Sequence, residues 1–104
     1  MSKPPFEVQR INNETRLIVR GSLDINSAPV LAEEIDRIIA AKPPRVVADL
    51  SELDLIDSSG VAALVKLYKG IRNGGWGGAI EIQNARDQPL AIFKLLRMDK
   101  VFNL

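Results

Sequence analysis

Apolar and polar positions change period several times along this chain, and each change marks the edge of an element. Phe6 and Val8 alternate with Glu7 and Gln9, which predicts a strand over residues 6–10. Asn12-Asn13 is a turn signal, and residues 15–21 resume with Leu17 and Val19 against Arg16 and Arg20, so the two segments read as a hairpin. Ile18 breaks that alternation and leaves the register open. Residues 21–27 read as a loop. From there Leu31, Ile35, Ile38 and Ile39 recur at helical spacing, opposite Glu33, Glu34, Asp36 and Arg37, so a helix is expected as far as about residue 41. Asn26 or Ser27 is its N-cap candidate, with Pro29 in the first turn, where a missing N–H costs nothing. Pro43-Pro44 ends it.

Residues 45–50, RVVADL, form a short continuous apolar run, as expected of a strand covered on both faces or lying at the centre of a sheet. Residues 53–57 read as the connection that follows. Val61, Leu64, Val65, Tyr68 and Ile71 then mark a second helix from about Ser58 to Asn73, and Gly74-Gly75 can supply the left-handed residue after its end. Residues 79–83 form a further strand, with Ile80 and Ile82 on one face. A third helix follows, capped by Asp87 or Gln88, with Pro89 in its first turn and Leu90, Phe93, Leu95 and Leu96 as inward candidates. Val101, Phe102 and Leu104 are expected to dock on the core. The order β-β-α-β-α-β-α implies an α/β fold with a mixed four-stranded sheet and helices packed against it. Strands that alternate with helices are parallel, and the leading hairpin adds an antiparallel edge. Sites in such sheets gather beyond the C-terminal ends of the parallel strands. This draws residues 21–27 and 54–60 together as the place to look.

Composition narrows the chemistry. A length of 104 residues suits one domain over 1–104, and a hydrophobic fraction of 46% is enough for a real core. Fourteen Lys and Arg against thirteen Asp and Glu leave a net charge of +1, without the basic excess that a nucleic-acid-binding face needs. No apolar run is long enough to span a membrane, and MSKPPFEVQR lacks the apolar middle of a secretion signal, so a cytoplasmic protein is expected. Cysteine and histidine are absent. That excludes disulfides, thiol catalysis and Cys/His zinc sites, and removes the commonest general base. No phosphate-binding Gly-x-x-x-x-Gly-Lys-Ser/Thr loop is present either. An enzyme is not expected, and no catalytic residue or cofactor is assigned.

The segment LDLIDSSGVAALVKLY, residues 53–68, poses the sharpest question. Asp57, Ser58, Ser59 and Gly60 stand where a loop enters a helix. Asp and Ser are preferred N-caps, and one cap, worth about 1 kcal/mol, needs one such residue. Here three come in a row before a glycine. Alternatively, a serine at this place is an exposed hydroxyl beside a helix N-terminus that tolerates an anion. Gly60 would then clear bulk for a partner, and Asp57 and Asp24 would make the added charge of a phosphate decisive.

A resemblance adds to this reading. Gly21-Ser22-Leu23-Asp24, then VVADL, then Leu55-Ile56-Asp57-Ser58-Ser59-Gly60-Val61, together with the element order over nearly the whole chain, resemble the STAS domain of anti-sigma factor antagonists. The resemblance implies a phosphorylation-controlled partner switch. Ser58 matches the serine phosphorylated by an anti-sigma factor that is itself a serine kinase, and a serine phosphatase resets it. The unphosphorylated antagonist binds the kinase. Asp24 matches the acidic residue of the family's Gly-x-Leu-Asp loop, which contacts the kinase. Ser22, Asn26, Asp57, Ser59 and Gly60 complete the partner-binding set. The family usually has Glu where Ser22 stands, and its Gly-Gly after the second helix is expanded here to Gly74-Gly75-Trp76-Gly77-Gly78. Small STAS proteins also serve as subunits of lipid-transport ATPases, the alternative reading. That class resembles Asp-Ser/Thr-Ala-Gly at the block, which Ser59 does not match.

Other residues have two readings each. Trp76 is either tucked over the sheet edge or an exposed anchor for a partner. Lys66, Lys69 and Arg72 are either a solvated helix face or a docking face for an acidic partner. Asp49, Glu52, Asp54 and Asp57 hint at an oxygen-ligand site for Mg²⁺, but their strand-and-turn spacing does not gather them, and no metal is assigned.

Overall fold

The computed structural model describes residues 4–104. Its elements are β1 (Phe6–Ile11), β2 (Glu14–Leu23), α1 (Ala28–Ala40), β3 (Arg45–Ile56), α2 (Ser58–Arg72), β4 (Ala79–Gln83), α3 (Asp87–Leu95) and a short α4 (Met98–Val101). The expected order and the mixed four-stranded sheet are both present, with α4 as an addition. Strands run in the order β1-β2-β3-β4. β1 pairs antiparallel with β2 through a two-residue turn closed by Ile11↔Glu14, and Asn12 takes the positive φ such a turn requires. The other pairings are parallel.

One face of the sheet carries the core. Leu17 and Val19 of β2, Val46, Ala48 and Leu50 of β3 and Ile82 of β4 pack with Leu31, Ile35 and Ile38 of α1, with Leu64, Leu67 and Ile71 of α2, and with Phe93 and Phe102. Tyr68 belongs to this core, its ring 5.2 Å from that of Phe102. The alternate residues face the other way. Ile18 and Val47 are buried there beneath charged neighbours rather than beneath a helix. Arg20 bridges Glu7 and Glu52 at 3.0 and 3.2 Å, Arg16 reaches Asp49 at 3.3 Å, and Arg45 bridges Glu14 and Glu81 at 3.3 and 2.7 Å. The apolar continuity of RVVADL fits the second of its two expectations, a strand inside the sheet: β3 lies between β2 and β4, and Val47 stands between Arg16 and Glu81 in the register.

Several boundaries differ from expectation. β3 does not stop at Leu50 but runs on through the supposed connection to Ile56, and β2 runs into the supposed loop as far as Leu23. α3 is capped by neither Asp87 nor Gln88: Arg86 holds the N-cap position, without a side-chain cap. Leu95 and Leu96 point to solvent: Leu95 stands about 200° round α3 from the buried Phe93 at about 3.6 residues per turn, and Leu96 lies just past the helix end. Of the C-terminal trio, Phe102 is buried whereas Val101 and Leu104 are exposed.

Candidate functional site

The site is built where two parallel strands end side by side. Ser22↔Leu55 and Leu23↔Ile56 are the last pairs of β2 and β3, and each strand leads within a few residues into a helix. The loop 24–27 and the turn at Asp57 that enters α2 are therefore neighbours, within the segments 21–27 and 54–60 that the topology drew together.

Asp57 ties them together. It is the N-cap of α2 in extended conformation, and its Oδ1 accepts the N–H of Gly60 at 3.1 Å. Its Oδ2 accepts the N–H of Ile25, in the other loop, at 3.1 Å. Its own N–H donates to the Leu23 carbonyl at 3.1 Å. One carboxylate thus caps a helix and straps two loops. The cap being filled, Ser58 moves to the first helical position, where it is exposed and its hydroxyl makes no hydrogen bond among the described residues. Ser59 is half-buried and likewise unbonded.

The second loop closes on itself. Asp24 Oδ1 accepts the N–H groups of Asn26 at 2.9 Å and Ser27 at 3.1 Å, while Ser27 Oγ accepts the Asp24 N–H at 3.0 Å and donates to the Ser22 carbonyl at 2.9 Å. The backbone N–H of Ser27 first, and then that of Asn26, hold the Asp24 carboxyl below its ordinary pKa. The loop therefore presents a fixed anion. Ser22 and Asn26 lie exposed beside it.

Gly60 acts differently from expectation. It is buried, and a Cβ there would lie 2.5 Å from the Leu23 carbonyl oxygen and 2.7 Å from Ile56 Cγ1. The glycine lets α2 seat on the two strand ends. It shapes the loop from beneath and offers no surface of its own to a partner.

Shallow apolar ground flanks Ser58. One groove, about 260 Å³, is bordered by Ser22, Asp24, Leu55, Asp57 and Gln88. Another, about 280 Å³, lies along the seam of α1 and α2 and is bordered by Ile25, Ala28, Ala32, Ser59 and Ala62. Ile25 is 69% and Leu55 53% exposed, a large apolar display for a loop and the adjoining end of β3. The sequence reading passed over both residues, although an isoleucine inside a polar loop was the available signal. It also passed over Gln88 in this role. The Gln88 amide accepts the Ile56 N–H at 2.9 Å and donates to the Ile56 carbonyl at 3.0 Å, anchoring the end of β3 like one more strand residue.

The remaining candidates lie apart from this site. Trp76 folds back, its Nε1 donating to the Pro43 carbonyl at 2.9 Å and its ring filling the space over Gly74 and Gly78. Lys66 pairs with Asp36 at 2.7 Å. The acids considered for Mg²⁺ diverge, with Asp49 turned to Arg16, Glu52 to Arg20 and Asp54 to Arg86. Among the described residues no three of them converge.

Comparison with known proteins bears on the family and the fold. The family model described as Mlab, STAS domain matches residues 6–104, so the chain belongs to the STAS domain family. The anti-sigma-B factor antagonist of Bacillus subtilis is 21% identical over 98 residues, covering 94% of this chain and 87% of that protein. An anti-sigma factor antagonist from Mycobacterium paratuberculosis superposes with a TM-score of 0.79 at 25% identity, over 98% of this chain and 87% of its own. The Bacillus cell fate determinant SpoIIAA in its phosphorylated form shares the fold, with a TM-score of 0.73 at 15% identity, over 91% of this chain and 86% of its own. No helix among the described residues is long and apolar enough to cross a membrane.

Proposed function

We propose that this STAS domain is an anti-sigma factor antagonist that works as a partner switch. In its unphosphorylated form it binds an anti-sigma factor serine kinase through the surface formed by residues 22–26 and 57–59, with Gly60 supporting it from beneath. Phosphorylation of Ser58 releases it, and a serine phosphatase restores binding. The observation that carries this reading is the division of labour at α2: Asp57 supplies the cap, and the Ser58 hydroxyl is exposed and unbonded among the described residues. The antagonist relatives support the family role.

The energetics suit a switch without a change of shape. A phosphate adds about −1.5 to −2 charge. At the start of α2 the helix dipole accommodates it, so the fold persists. At an interface the same charge stands beside Asp57 and the fixed anion of the Asp24 loop. Like charges juxtaposed in a contact cost several kcal/mol, and 1.4 kcal/mol is tenfold in affinity, so a loss of about a hundredfold follows. The apolar display of Ile25 and Leu55 supplies attraction in the unmodified state.

The test uses the serine kinase of anti-sigma type from the same cells. Ser58→Ala should bind as wild type and accept no phosphate, and Ser58→Asp should bind about a hundredfold more weakly. Equal binding by both variants would defeat the proposal. A subunit of a lipid-transport ATPase would instead be captured with its ATPase, whatever residue stands at position 58.

A further inference from the structure

The free edge of the sheet is a second place where the fold is unfinished. Among the described residues β4 has β3 as its single neighbour. In a strand, the N–H and C=O of one residue point to the same side, and those of the next residue to the other. Ala79 donates its N–H to the Pro44 carbonyl at 3.0 Å, on the β3 side. Ile80 and Ile82 therefore turn both backbone groups outward. A groove of about 520 Å³ follows that side. It is bordered by Ile80, Glu81, Ile82 and Gln83 in succession. Side chains of a strand alternate between faces, so a groove touching four in a row tracks the backbone edge. Tyr68 and Arg72 of α2 and residues 100–103 border it as well. Edge strands are commonly guarded by Pro, Lys or a bulge. β4, AIEIQ, has no Pro and no Lys, and its register with β3 is unbroken.

The charge of the groove selects its occupant. Glu81 is engaged by Arg45 at 2.7 Å and by the Gln83 amide at 2.9 Å. Arg72 donates to the Tyr68 hydroxyl at 2.8 Å and meets no carboxylate, and Lys100 forms no ion pair among the described residues. The charge left without a counterpart is positive. We propose that β4 accepts an added strand from an acidic, extended segment of another protein, hydrogen-bonded to Ile80 and Ile82, with its carboxylates against Arg72 and Lys100. A second copy paired edge to edge would set these cations against each other, which disfavours it. Ser58 and Arg72 are the two ends of α2, about 20 Å apart at 1.5 Å per residue, so this surface is separate from the phosphorylation site and does not rest on it.

The probe is a fluorescent peptide of alternating Glu and Val, with the Lys/Val peptide as control, read by anisotropy and by amide NMR shifts. The acidic peptide should bind, shifting the amides of residues 79–83, and the exposed-site double variant Arg72→Glu, Lys100→Glu should weaken it about tenfold or more. Ile80→Pro, which removes an outward donor where an edge strand tolerates proline, should weaken it too. Four results would overturn the proposal: equal binding of both peptides, shifts confined to other residues, no binding, or β4 shifts that appear with protein concentration alone.

Discussion

Ser27 and Ser58 both stand at the entry to a helix, at the ends of adjacent parallel strands, and their hydroxyls have opposite fates. Ser27 Oγ accepts the Asp24 N–H and donates to the Ser22 carbonyl, so it is consumed in closing its loop. Ser58 has no such bond, because the aspartate one residue before it already caps the helix. Where Asp precedes Ser by three residues the pair locks the backbone, and where Asp precedes Ser by one the serine is displaced onto the surface. The same two residue types make a structural joint in one place and an exposed hydroxyl in the other.

The contrast can be pressed hardest at Gly60. Gly60→Ala forces a methyl against the Leu23 carbonyl and Ile56, and should cost about 3 kcal/mol in denaturant unfolding. Asp57→Ala removes both the cap and the strap to Ile25 and should cost about 2 kcal/mol, with Asp57→Asn retaining part of it. The serines themselves should separate clearly by the same measurement: Ser27→Ala costs about 1 kcal/mol, whereas Ser58→Ala stays within about 0.5 kcal/mol. The smallest effect is on pH. Asp24 has a folded pKa below its unfolded one, so its contribution is present above the ordinary Asp value of about 3.9 and is lost as pH falls through the folded value. NMR shifts of the Asn26 and Ser27 amides should titrate with a midpoint below that value, and this titration should vanish in Asp24→Ala.

The element order up to α3 was legible from periodicity and turn signals, the nearness of the two segments from the rule for parallel sheets, and the serine block from its place at a change of period. The extent of β3 was not. Leu50, Leu53 and Ile56 are buried at a spacing of three, which does not read as a strand. The register explains it: from Ile18↔Asp49 to Arg20↔Glu52, and again from Gly21↔Leu53 to Ser22↔Leu55, β3 carries an extra residue. Two bulges convert a period of two into one of three. The role of Gly60 was misjudged for a related reason. A glycine at a helix start signals close approach, but whether a partner or the protein's own backbone approaches is decided by tertiary packing. Which residue capped α2 was also open, since Asp57, Ser58 and Ser59 are all good caps, and only the strap to Ile25 gives Asp57 a second reason to hold the place. Leu95 was misplaced because it stands two residues from Phe93, on the opposite face of α3, and Leu96 because the helix ends before it.

The central claim is that Ser58 is free to be modified while Ser27 is not. Intact-mass spectrometry of the protein from its own cells, with peptide mapping across both serines, tests it most directly. The account predicts one phosphate, on Ser58, that disappears on treatment with a serine phosphatase and is absent from Ser58→Ala. A phosphate on Ser27 or Ser59 instead, or an unmodified Ser58 in protein incubated with the serine kinase and ATP, would contradict it.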